Sequence, residues 1–293
     1  MVRSFLNALR VEFGICLRSG WTLAMLLLLL AWVVFSVWNS YNVVMSQVVP
    51  LNQLQDYFGS DFQNWLASSS DAENFRNAIL AANPANSANL VLSSCGVVGV
   101  AIFVVWSAFV VGNDFFRRTA NTRAAHLGWV KVIWSKLIVI AATAIVVIFI
   151  ALVVGILFSH VLWHYILQDF SFASILTPDT PQNIFAGYLA IVLGFWFFGS
   201  FAIVVTLLVK NLPLGIIISL VIPFVDLNLN QWWLPMRAFL NLQTGIFTYS
   251  LSSSTTLPPA TGPVSGSYVW AILVVWLLAA VAASHLIARN QSV

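Results

Sequence analysis

Six stretches of this chain run on with almost no polar interruption: about 20–45, 91–112, 132–160, 184–209, 212–232 and 268–288. Each is long enough to cross a hydrocarbon core, which takes ~20 mostly apolar residues in a helix. The apolar positions are continuous rather than alternating, so the pattern predicts helices and not the period-two strands of a membrane barrel. Little more than Lys210–Asn211 separates the fourth run from the fifth, which predicts a tight hairpin turn. The third run is long enough to tilt or to extend past the bilayer. The expected fold is therefore all-α: a polytopic membrane protein with six transmembrane helices in a single transmembrane domain.

The segments between the runs carry weaker periodicities. Over residues 2–18, Val2, Phe5, Leu6, Leu9, Phe13 and Cys16 recur at helical spacing, while Arg3, Asn7, Arg10 and Arg18 take another face. This predicts an amphipathic elbow helix on the inner membrane surface, turning into the first span near Ser19-Gly20. Residues 46–90 form a long outer segment in which Leu51, Leu54, Phe58, Phe62, Trp65 and Leu66 keep an approximate helical period. Phe75 and Ile79 extend the pattern to a second short helix, ended by Asn83-Pro84-Ala85-Asn86. A second outer segment, 233–267, holds an apolar stretch Met236–Tyr249 too short to span, which fits an interfacial or re-entrant helix. Its remainder, Ser252 to Ser267, is rich in Ser, Thr, Pro and Gly and predicts an exposed loop.

Composition agrees with a lipid solvent. Charged residues make up 7% and apolar residues 60%, where a soluble domain has roughly 25% charged. Charge also orients the chain. With the N-terminus inside, Arg3, Arg10, Arg18, Arg117, Arg118, Arg123, Lys131, Lys136, Lys210 and Arg289 lie on the cytoplasmic side, and only Arg76 and Arg237 lie outside. That bias predicts both termini in the cytoplasm. The first run is longer than a signal-peptide core and no small-residue cleavage site follows it, so it is expected to stay as a signal anchor. Cys16 falls near the inner face and Cys95 near the outer end of the second span, too far apart to form a disulfide.

Catalytic and ion-coupling chemistry is sparse. Asp226 is the one acid inside an apolar run, ~22 Å from the inner face by helical rise. It reads either as an interfacial carboxylate or as part of an outer gate. His160 and His164, four apart with Asp169 beyond them, have metal-ligand spacing but lack a firm third ligand. Gly199-Ser200 and His285 are the residue types of an intramembrane serine protease, but helical rise puts them at different depths. No G-x-x-x-x-G-K-[ST] loop is present, so a nucleotide would have to be bound by another polypeptide.

One stretch stands apart. Residues 113–136 read NDFFRRTANTRAAHLGWVKVIWSK and hold Arg117, Arg118, Arg123, Lys131 and Lys136 with the single acid Asp114. Topology alone accounts for the number of charges. The order of residue types points further, to a short charged helix, 113–131, that a soluble partner could grip through Arg–carboxylate bonds.

Here the chain resembles the six-span permeases of ABC exporters, the ABC type-2 permease family. Asp114, Phe115, Thr119, Arg123 and Lys136 stand where that family has an acid, an aromatic, a Gly-Thr, a basic residue and a Lys opening the third span. The elbow and the span count match as well. The chain departs in having Asp for the usual Glu, Arg118 where Gly precedes Thr, and no Pro before the third span. The resemblance implies a permease that is not itself an enzyme. It implies two ABC ATPase subunits carrying ATP and Mg, a second permease protomer, identical or homologous, and a plasma-membrane location, bacterial inner or cytoplasmic membrane. ATP-driven closure of the ATPase pair would push on 113–131, with Arg117 and Arg118 in the coupling surface, and open a path lined by the second and fifth spans. Ser93, Ser94, Ser107, Ser219 and Asp226 would lie along it among aliphatic walls that suit a lipid, peptide or drug-like cargo; ordinary helix packing by small side chains is the plainer account of these serines. Membrane lipids are expected neighbours; nucleic acid is not an expected partner. Two other readings stand: a non-transporting scaffold or anchor that binds a soluble partner through 113–136, and an intramembrane enzyme.

Overall fold

Continuous apolar sequence leaves a backbone in lipid few options, because every N–H and C=O must find its partner inside the segment. The computed structural model describes residues 2–62, 64–65, 80, 83–116, 119–167, 183–229, 231–247 and 267–290. It is an all-α polytopic bundle with six helices long and apolar enough to cross a membrane. Helix α1 covers Val2–Arg18 and α2 covers Gly20–Phe58. The second span is built from α3, Ser87–Ser94, a π-turn at Cys95–Gly99, and α4, Val100–Phe116. A short α5, Ala120–Leu127, leads to α6, Trp129–Leu162. Then follow α7, Ile184–Val209, α8, Leu212–Leu229, α9, Pro235–Ile246, and α10, Ser267–Asn290.

Three boundaries differ from the sequence expectation. Helix α2 does not stop at the end of the apolar stretch, Val43, but continues to Phe58, after which Gly59 takes a positive φ of 55°. The helical backbone continues through 44–58, past Pro50, so the first span and the start of the outer segment form one helix of ~58 Å. The second span begins earlier than expected, with Pro84 opening a 3₁₀ turn and Asn83 accepting from Ala85 N at its N-cap. The helix of the basic connection is only Ala120–Leu127, because 113–116 continue α4 and α6 starts at Trp129. Gly128, with φ 79°, makes the corner between α5 and α6. The expected helix around Phe75 and Ile79 lies outside the described residues, as does the expected loop from Ser252 through Gly266.

Helix α7 is the axis. In its apolar window 78% of residues are buried, against 22% for α2 and α10 and 28% for α8. Small residues let its neighbours approach. A Cβ on Gly194 would run into the ring of Phe239, and one on Gly187 would come within 2.7 Å of Phe247. These two notches seat the rings of α9 and of the residue that follows it. They explain how a helix too short to span is held inside the bundle, with Met236, Arg237, Phe239 and Leu242 buried. At the other end of α7, Lys210 closes the helix in the left-handed region, and Asn211 Oδ1 accepts from Leu214 N to start α8.

Helix α2 is held differently. Lipid is as apolar as a leucine side chain, so burial alone gives a peripheral helix little reason to dock. Side-chain hydrogen bonds join it to the bundle at Thr22, Trp32 and Tyr41. Trp106 Nε1 donates to Thr22 at 3.1 Å, Trp32 Nε1 donates to Ser94 O at 2.8 Å, and Tyr41 OH donates to Ser159 O at 2.8 Å. The middle bond uses the backbone just before the π-turn, where Gly96 has the non-helical ψ of −109° and the regular ladder is interrupted.

The glycine notch on α7 should be the tightest fit in the fold. Gly194→Ala is expected to destabilise the protein by about 1–3 kcal/mol through overpacking against Phe239. Gly20→Ala, whose Cβ meets nothing within 4 Å, should leave the melting temperature unchanged. Thermal unfolding of both variants in the same detergent checks the contrast.

Candidate functional site

One end of the bundle gathers α1, the α4–α6 connection, the Lys210 turn and the last turn of α10, and with them most of the charge. At this basic end a lysine enters the protein. Lys136 lies two turns into α6 and its side chain is only 3% exposed. A lysine this close to a helix end ordinarily snorkels its ammonium to water. Here the ammonium points inward and finds three acceptors. Val110 O is at 2.6 Å, Asp114 Oδ2 at 3.0 Å and Glu12 Oε2 at 3.3 Å. An ammonium has three protons, so each of the three acceptors can take one. The acceptors come from α4 and α1, and the donor from α6, so one side chain joins three helices.

The geometry reassigns two residues of the basic motif. Asp114 and Lys136 stand among the expected partner contacts, yet both are buried and bonded to each other, and Lys136 is bonded to Glu12 as well. They shape the connection from within. Phe115 likewise stacks on Trp129, with ring centroids 6.2 Å apart and 18° between planes, across the root of the connection. Thr119 N donates to Asp114 O at 2.9 Å and closes the end of α4. Beyond this root α5 packs along α6 and α1 and leaves Thr122, Ala125 and His126 exposed. Arg117 and Arg118 lie outside the described residues, and of Arg123 only the helical backbone is described.

The elbow pattern assigns apolar residues to one face and Arg3, Asn7, Arg10 and Arg18 to another, and it gives Glu12 no place. The buried stripe of α1 is instead Ala8, Glu12 and Cys16 at four-residue spacing, with Leu9 and Phe13 beside it. One signal was available. Lys136 is the one lysine placed inside an apolar run, so it needs buried acceptors, and Glu12 is the only acid besides Asp114 expected on that side.

The residues expected along a pathway do not converge. Ser219 faces a narrow apolar crevice between α4 and α8, beside Val97, Val104, Pro223 and Met236. Its volume is about 10 Å³. Ser107 donates to Phe103 O at 2.8 Å and packs toward Gly199 of α7. Ser93 and Ser94 donate to carbonyls of their own helix, Leu90 O and Val91 O. Asp226 is 5% exposed within the chain. Its Oδ2 accepts from Met236 N at 2.6 Å. The N-cap of α9, Leu234, offers no side-chain acceptor, so Asp226 supplies from α8 the anion that the helix N-terminus favours.

The weak catalytic and metal candidates are also located. His160 is exposed and its Nδ1 lies 2.9 Å from Ile156 O, one turn back. His164 is exposed and meets Tyr165 edge to face. Asp169 lies outside the described residues, and no group of three potential metal ligands occurs among the described ones. Ser200 is buried with no hydrogen-bond partner for Oγ among the described residues, while His285 Nδ1 accepts from Trp134 Nε1 at 3.2 Å. The two do not form a pair. Cys16 and Cys95 are both buried thiols.

Comparisons with protein-family models, with curated proteins and with solved structures found no match.

The buried ammonium gives a direct test. Lys136→Met leaves Glu12 and Asp114 side by side with no countercharge and should cost about 3–5 kcal/mol. Adding Glu12→Gln and Asp114→Asn to that variant removes the stranded charges and should restore most of the loss. Unfolding of the single and triple variants in detergent measures both numbers.

Proposed function

We propose that this chain is the membrane-spanning permease subunit of an ATP-driven exporter like those of the ABC type-2 permease family. The observation that carries the reading is the three-helix junction at Lys136. A connection rooted in a buried ion cluster, with a short exposed helix above it, is built to pass a push from outside the membrane into several spans at once. A loop that merely crossed from one span to the next would not need that root.

Energy supply supports the same reading. Among the described residues, no Asp, Glu, Lys, Arg or His occupies the middle of a span. Asp114 and Lys136 sit at the basic end and Asp226 caps α9. Ion-driven carriers commonly place such groups at the midplane. The proposed driver is therefore a separate ATPase, in two copies, holding ATP and Mg. It would engage α5 and the arginines around it, Arg117, Arg118 and Arg123.

The path is proposed to form between two permease protomers, identical or homologous. The crevice at Ser219 is too small to pass a solute through one chain. Helix α8 meanwhile exposes Leu214, Ile217, Val221, Phe224 and Val225. This apolar face suits a second protomer and a hydrophobic or amphipathic cargo. The small size of that crevice equally suits a scaffold that moves nothing and only anchors a soluble partner.

Purification of the tagged chain from its native membrane separates these readings. The permease reading expects a nucleotide-hydrolysing subunit to copurify and its ATPase activity to respond to the chain. Replacing Arg117, Arg118 and Arg123 by Gln should lower that association about tenfold or more, since each charge-assisted bond is worth about 1.5–3 kcal/mol. Membrane insertion should persist. Solute movement driven by an ion gradient, with no nucleotide hydrolysed, would reject the reading; a soluble partner without ATPase activity would favour the scaffold.

A further inference from the structure

Beside the junction, on the outer side of α1, lies a second feature that the transport reading does not use. Helix α1, the turn at Ser19–Gly20, the start of α2 and Asn113 of α4 enclose an open groove of about 890 Å³. That is the size of a cavity that holds a small organic molecule. Its lining combines the charged Arg10 and Arg18 with the apolar Val11, Ile15, Trp21 and Ala24.

Three observations bear on what fits there. The first is charge. Arg10 and Arg18 are exposed. Glu12, the nearest acid in sequence, is turned to the opposite face and bonded to Lys136. Among the described residues, neither arginine makes an ion pair with an acid. The second is shape. Positions 10, 14 and 18 fall on one helical face, with the arginines about 12 Å apart along the axis. Gly14 lies between them, and a Cβ there would meet nothing within 4 Å. The helix thus presents a notch flanked by two guanidinium groups. The third is depth. Val11, Ile15, Leu17 and Trp21 are all about half exposed or more, and Trp21 is fixed by stacking on Phe109 with centroids 4.2 Å apart. Exposed apolar side chains beside such arginines at the foot of a span are the surroundings of the headgroup layer.

We propose that this groove binds an acidic phospholipid, its phosphate held over Gly14 by Arg10 and Arg18 and its acyl chains lying along Val11, Ile15 and Trp21. Arginine suits a phosphate because its planar fork can bond two oxygens at once. A soluble anion would leave the apolar wall uncovered, and a protein segment of ordinary polarity would leave the arginines without their countercharge. The proposal stands independently of the exporter reading. It has one consequence inside the molecule. Ile15, Ser19, Trp21 and Asn113 line both this groove and the small pocket of about 40 Å³ that contains Glu12, Asp114 and Lys136. A lipid in the groove is therefore packed against the residues that bury the junction.

The test uses the full chain in nanodiscs of phosphatidylcholine doped with phosphatidylglycerol, extracted into mild detergent, with retained lipid counted by native mass spectrometry. Wild type should retain phosphatidylglycerol over phosphatidylcholine by about tenfold or more, the order expected for two basic groups at an anionic surface. Arg10→Gln/Arg18→Gln should lose that preference. Gly14→Leu keeps both charges but fills the notch, and it should lose the preference too. Lys210→Gln/Arg289→Gln removes two charges from the same end outside the groove and should keep it. Retention unchanged in the arginine or the glycine variant overturns the proposal. So does an equal loss in the Lys210/Arg289 control, which would mean bulk charge alone. Displacement of the lipid by inorganic phosphate at equal concentration also overturns it, because the groove would then be a free-anion site.

Discussion

A lysine side chain is costly to bury unless its ammonium finds partners, and this protein surrounds Lys136 with them. Desolvating a single ion costs several kcal/mol even after relaxation. The compensation here comes from two carboxylates and one carbonyl, all within 3.3 Å of Nζ. Because those acceptors belong to different helices, none of the three can leave alone without exposing a stranded charge. The elbow helix, the end of the second span and the start of the third are therefore one mechanical body at the basic end. The rest of that end follows from this. Thr119 can close α4 on Asp114 O, and Phe115 can stack on Trp129 at the root of α5.

Elsewhere the bundle is held by shape and by isolated polar bonds. Around α7 the contact is interlocking. Rings from α9 and just beyond it fill notches at Gly194 and Gly187, and Phe103 packs on Phe195. Interlocked packing has discrete arrangements and resists small displacements. Around α2 one narrow stripe, Met25, Leu29, Val33, Val37 and Tyr41, packs on the bundle, and side-chain hydrogen bonds at Thr22, Trp32 and Tyr41 run along it. One of these, from Trp32, ends on the carbonyl before the π-turn, so the point where the second span is weakest is also a point where the first span grips it. The break at Gly96 gives α4 a place to turn relative to α3.

What could be seen in the sequence follows from which constraints are local. A run of twenty apolar residues must be a helix in lipid whatever its neighbours do, which is why the fourth run and Ile184–Val209 coincide. The hairpin at Lys210–Asn211 was also local, since a polar dipeptide between two such runs leaves no other geometry. Rotation of a helix about its own axis is not local. Ser107 and Ser219 both lie in spans expected to face a path, but the glycine on α7 turns Ser107 inward, while Ser219 alone reaches the crevice. Glu12 was hidden for the same reason. A pattern of apolar and basic residues locates the faces of α1 but does not say which neighbour each face meets, and only the position of Lys136 makes the acid necessary. Asp226 shows a third kind of gap. Its partner is the backbone of Met236, and backbone donors leave no trace in residue identity.

The groove and the junction meet at the elbow, and this bears on how either could work. Ser19 and Gly20 form the bend between α1 and α2, and both line the groove. Cys16 Sγ lies 3.5 Å from Thr22 Oγ1 across that bend, and the same Thr22 accepts from Trp106. The elbow is thus bonded on its inner side to α4, while its outer side is the wall of the groove. A headgroup bound on the outer side would press the bend against the contacts that bury Lys136, and an empty groove would leave that side of α1 supported by solvent alone. Under the transport reading, the stiffness of the part that receives the push would then depend on the lipid around it. The physical reason is that the same turn of helix forms both the wall of the lipid site and the cover of the ion cluster.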